Sequence, residues 1–117
     1  MLLKLFQDEH IEYKLLDADS CVELYKVSSK YLILYIKNQG NSFVLNRDYF
    51  EYLDGNSLPY KILLHDAKAE KIYLLELKKE NNWIKSCFAT CNKEVIFLGK
   101  QVLNYPISKE ILIKKLK

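Results

Sequence analysis

The sequence predicts a mixed α/β fold of the α+β type: a single domain over residues 1–117, built on a central mixed β-sheet flanked by helices. Three observations predict it. Short runs of strand character are interleaved with runs of helical period. The first three strand runs are separated by turn-sized gaps, which makes them an antiparallel three-strand meander. The fourth strand run follows a helical stretch, and a helical crossover can return the chain parallel to its neighbour. Composition agrees. Half of the 117 residues are hydrophobic and 28% are charged, with Gly 3 and Pro 2, which suits a packed domain rather than a linker or disordered tail.

The elements follow in order. Leu2, Leu3, Leu5 and Phe6 share one side of a short helix over 2–9. Ile11 to Leu15 alternates as a strand, and Asp17-Ala18-Asp19-Ser20 is a turn. Val22 to Val27 alternates again, and Ser28-Ser29-Lys30 turns the chain. Tyr31 to Lys37 is apolar on both faces, which predicts the central strand. Asn38 to Ser42 breaks it. Asn46 suits an N-cap, Asp48 the first turn and Gly55 the end of a helix over 46–54, with Tyr49, Tyr52 and Leu53 inward. Residues 59–65 and 71–78 are two strands joined by a polar turn. Residues 82–91 form a helix with Trp83, Ile84, Cys87 and Phe88 inward. Val95 to Leu98 is a late strand, and Ser108 caps a final helix carrying Ile111, Leu112 and Leu116.

Formal charge is +3, from 17 Lys and the single Arg47 against 15 acids. The lysines are spread out, which is the pattern of solvated faces rather than a dedicated DNA-wrapping surface. Lys in place of Arg also weakens bidentate readout of phosphate or guanine. No apolar run approaches the ~18 residues of a membrane helix, and Met1 to Glu9 lacks a signal-peptide pattern. The expectation is a cytoplasmic protein with no membrane partner. Cys21, Cys87 and Cys91 are an odd number, which fits a reducing compartment. Cys87 and Cys91 with His10 and His65 could supply four zinc ligands on paper, but no CxxC or HxxxH spacing supports it, so the thiols are expected in the core.

The order of meander, helix and further strand resembles the core of the PD-(D/E)XK nuclease superfamily. The resemblance covers about residues 11–78 and implies an acid on the second strand and an acid-x-Lys triplet on the third. Residues i and i+2 share a strand face, so the acid can hold Mg²⁺ while the lysine activates water. Two registers offer themselves. A turn at Ser28-Ser29-Lys30 pairs Glu23 with Tyr35, Cys21 with Lys37 and Asp19 with Gln39. Lys37 then resembles the superfamily lysine, and Glu23 or Asp19 the second-strand acid. Tyr35 stands where the triplet acid should be, and a neutral phenol is a poor ligand for a hard cation. The alternative register is Asp66 with Glu76-Leu77-Lys78. A tight hairpin would pair Asp66 with about residue 71, leaving Glu76 on the order of 17 Å away at ~3.4 Å per residue.

Other chemistry is thin: no Gly-rich phosphate loop, no nucleophile elbow and no HExxH motif occurs. His65 beside Asp66 suits a hydrogen-bonded structural role. Tyr25, Tyr31, Tyr35, Tyr49 and Tyr52 could build a stacking platform on the sheet, or pack half-buried with wet hydroxyls. The resemblance implies a small non-catalytic nuclease-like protein. It would bind nucleic acid or a protein partner, without a cofactor, in a DNA-processing, restriction or phage-related system. The alternatives are a Mg²⁺-dependent nuclease using Asp19, Glu23 and Lys37 or Glu76 and Lys78, and an inhibitor or adaptor that binds protein only.

Overall fold

A computed structural model describes residues 1–76, 81–91, 94–99 and 105–117, without the side chains of residues 76, 81–83 and 91. The elements are α1 (Leu2–Asp8), β1 (Tyr13–Ala18), β2 (Val22–Val27), β3 (Tyr31–Lys37), β4 (Phe43–Asn46), α2 (Arg47–Gly55), β5 (Tyr60–Asp66), β6 (Lys71–Glu76), α3 (Asn81–Cys91), β7 (Val95–Leu98) and α4 (Lys109–Leu116). The mixed α+β class is as expected. The main sheet has five strands in the order β1-β2-β3-β5-β6. The first three form the antiparallel meander, β5 runs parallel to β3 after the α2 crossover, and β6 returns antiparallel. β3 is central, with five consecutive buried residues between its two ends. Among the described residues no helix is long and apolar enough to cross a membrane.

The sheet is covered on both faces, as its period of two requires. Tyr25, Val27, Ile33, Tyr35 and Leu63 face α1 and α4, which contribute Leu2, Leu5, Phe6, Leu112 and Leu116. Leu24, Leu34, Ile36, Ile62 and Leu64 face Phe50 and Leu53 of α2 and Ile84 and Phe88 of α3. Asn46 caps α2 by accepting the Asp48 N–H at 2.8 Å, and Ser108 caps α4 by accepting the Ile111 N–H at 3.2 Å. Each such cap contributes about 1 kcal/mol.

Several expectations are corrected. β4 and β7 pair with each other in a separate two-stranded sheet. β4 was invisible because a four-residue strand with a partner some fifty positions away leaves too short a pattern. Phe50, not Tyr52, is buried in α2, whereas Tyr52 is 46% exposed. Leu3 and Ile111 also face outward. The first strand begins later, at Tyr13, and extends to Ala18 with a bulge at Leu16. The bulge shifts parity, so Asp17 opposes Leu24 rather than Glu23. That spares β1 and β2 two carboxylates face to face. Tyr25 and Tyr35 lie beneath α1 and α4 in the core, so this face presents no stacking platform. Phe6 instead stacks on Tyr13 with ring centroids 5.1 Å apart and meets Tyr25 edge-on at 5.2 Å.

Candidate functional site

Ladder register brings four polar side chains to one face where the parallel pair β3 and β5 ends. Glu23 lies directly opposite Tyr35, and Lys37 is beside His65. Tyr35 and Lys37 share that face by the two-residue strand period. The ladder runs on to Cys21, whose carbonyl accepts the Lys37 N–H at 2.8 Å. Ligand sites of open sheets with parallel strands commonly form at this carboxyl end.

The hydrogen bonds divide the cluster into two pairs. The Tyr25 hydroxyl donates to Glu23 Oε1 at 2.8 Å. The Tyr35 hydroxyl meets His65 Nδ1 at 2.6 Å. Burial and then the Glu23 carboxylate push Tyr35 up to about 12. Burial, followed by the hydrogen bond to Glu23, pushes Tyr25 higher still. His65 is held below its ordinary value, first by burial, then by the Met1 amino group and Lys37, against Asp66 and Glu70. At neutral pH the pair is therefore phenol and neutral imidazole. Lys37 itself is exposed.

Asp19 does not join this group. It sits on the α2 side of the sheet, in a groove of about 610 Å³ lined also by Asp17, Asn46, Asp48, Tyr49 and Tyr52. Its carboxylate accepts the Cys21 N–H at 3.0 Å. The expected pairing of Asp19 with Gln39 gives way to Gln39 with Ser42, because the chain turns back on itself after β3. The alternative register is spread along a hairpin. Asp66 pairs with Lys71 and Glu76 with Lys61, five positions away. The Asp66 carboxylate accepts the Lys68 and Ala69 N–H groups at 3.1 and 3.2 Å, a turn-forming role. The Glu76 side chain and the whole of Lys78 lie outside the described residues, as does the side chain of Cys91. Cys21 and Cys87 are free and half-buried, not in the core. No group of three or more His, Cys, Asp or Glu able to hold a metal occurs among the described residues.

The donor set beside Lys37 does not fit Mg²⁺. It has one carboxylate, already bonded to Tyr25, and a phenol held by an imidazole where a second carboxylate would be needed. What the arrangement offers is an exposed ammonium on a rigid, hydrogen-bonded base, suited to holding an anionic or polar group. The His65 contribution was missed in sequence, because only the crossover register places it beside Lys37. Compared with known proteins, the chain matches no family model and no curated sequence.

Proposed function

We propose that the chain is a non-catalytic protein with a PD-(D/E)XK nuclease-like core that binds nucleic acid through its phosphate backbone, in a DNA-processing, restriction or phage-related setting. The order α1-β1-β2-β3, then α2 and a parallel β5, supports the nuclease-like core. The observation that carries the non-catalytic part is Tyr35. It occupies the triplet acid position opposite Glu23, and its hydroxyl is engaged with His65. On this reading Lys37 corresponds to the superfamily lysine, and its exposed side chain can meet a phosphate.

Binding of this kind has no Arg fork to read bases and no exposed tyrosine platform under α1 and α4. It is therefore weak, indifferent to sequence and steeply salt-dependent. Electrophoretic shift of labelled DNA and RNA at low and moderate salt tests it. A shift at low salt that fades with salt, and weakens in Lys37→Gln, supports the proposal. No shift even at low salt removes the nucleic-acid partner and favours a protein-binding inhibitor or adaptor, for which the exposed Phe97 and Tyr105 rings are available.

A further inference from the structure

On the other face of the sheet, beside α2, a recess of about 280 Å³ is lined by Lys14, Lys26, Ser29, Asn56 and Ser57. Leu32 and Leu58 also line it. Lys14 and Lys26 are direct cross-strand partners on β1 and β2. Like charges so placed repel and destabilise a strand pair. No carboxylate lines the recess, and neither ammonium has an ion pair among the described residues.

The adjoining turn is a second, independent feature. Ser28 and Ser29 both adopt positive φ, 50° and 54°, while the Lys30 N–H donates to the Val27 carbonyl at 2.9 Å. The loop between the paired Val27 and Tyr31 is three residues long, and two successive positive-φ positions in it favour Asn-Gly, because side chains with a Cβ are strained there. The Ser28 N–H is tied to the Glu12 carbonyl at 2.8 Å, whereas Ser29 lines the recess. Asn56 Oδ1 accepts the Leu58 N–H at 3.0 Å, so its NH₂ is what it can offer a ligand.

We propose that this recess is an oxyanion site for a single phosphate group, either inorganic phosphate or the end of a phosphate monoester. An anion between Lys14 and Lys26 turns their mutual repulsion into two charge-assisted contacts, and the hydroxyls and amide add donors. The volume lies at the small end for ligand pockets, ~300 Å³ and up, which suits a phosphate head rather than a whole nucleotide. Past the shared Leu16 and Tyr52, the acidic groove of Asp17, Asp19 and Asp48 begins. A polyanion running that way is repelled, so one phosphate is accommodated. The site is on the face opposite Lys37 and does not rest on the proposed function.

The test is an amide NMR titration with inorganic phosphate, with chloride at matched ionic strength as control. It is repeated with a short oligonucleotide carrying or lacking a 5′-phosphate. Saturating shifts at residues 26, 29 and 57 are expected, with affinity about tenfold lower in Lys14→Gln and in Lys26→Gln. Without phosphate, Lys26→Gln melts at or above the wild-type temperature, and phosphate raises the melting temperature of the wild type more than that of the variant. Tighter binding of the 5′-phosphorylated strand assigns a nucleic-acid end, and equal binding assigns free phosphate. Absence of saturation, an equal response to chloride, or unchanged affinity in both variants overturns the site.

Discussion

Replacing Tyr35 by Phe isolates the bond that sets this site apart from a metal centre. Tyr35 is 7% exposed, and its ring packs between the sheet and the helices above it. Phe keeps that ring, so only the hydroxyl and its 2.6 Å contact with His65 are lost. The net value of such a bond is about 1 kcal/mol. His65 is half-exposed and water can replace the lost partner, which keeps the effect near that figure. For a chain of this length that is a fall in melting temperature of about 3–6 °C. Tyr35→Ala also removes the ring and should cost about 3–5 kcal/mol, enough to threaten folding. Thermal unfolding gives the first quantity. Side-chain ¹⁵N NMR of His65 gives the second: the short contact suits a Tyr35 O–H donating to Nδ1, with the ring proton on Nε2. An unchanged melting temperature with an unchanged imidazole spectrum in Tyr35→Phe would refute the bonded pair.

Three other outcomes follow from the same geometry. His65 has a lowered value in the fold, so above about pH 6.5 it is neutral in both states and its contribution is fully present. As pH falls the unfolded chain protonates first, and stability is lost through the lower folded value. Denaturant unfolding at neutral and mildly acid pH should show this loss, reduced in Lys37→Gln and absent in His65→Gln. Changing Ser28-Ser29 to Asn-Gly should stabilise the hairpin by about 1 kcal/mol and weaken phosphate binding, since the strain goes and the Ser29 hydroxyl goes with it. Hydrogen exchange should find the 31–36 amides among the slowest, because β3 is hydrogen-bonded on both sides and buried.

The sheet was legible where the pattern is local. Two-faced apolar character placed β3 at the centre, the three-residue turn at Ser28-Ser29-Lys30 set Glu23 opposite Tyr35, and Asp66 opposite Lys71 followed from the next hairpin. The site was legible only in part, because three of its features depend on distant or irregular structure. His65 reaches Lys37 through the parallel register, which no local signal encodes. Asp19 parts from Glu23 because the turn after Ala18 leads it to the α2 side. The Leu16 bulge turns Asp17 the same way, and the hydroxyl of Tyr49 donates to it at 3.1 Å. The tyrosines misled because periodicity shows which face a ring takes and not what covers it. Tyr25 and Tyr35 are covered by helices from opposite ends of the sequence.

The central claim is that Glu23, Tyr35 and Lys37 form a binding site without metal-dependent cleavage. Incubation of the purified protein with plasmid, linear DNA and RNA in Mg²⁺ or Mn²⁺ tests it most directly. The expected result is intact nucleic acid with both metals. Cleavage by the wild type that disappears in Glu23→Gln or Lys37→Ala would contradict it.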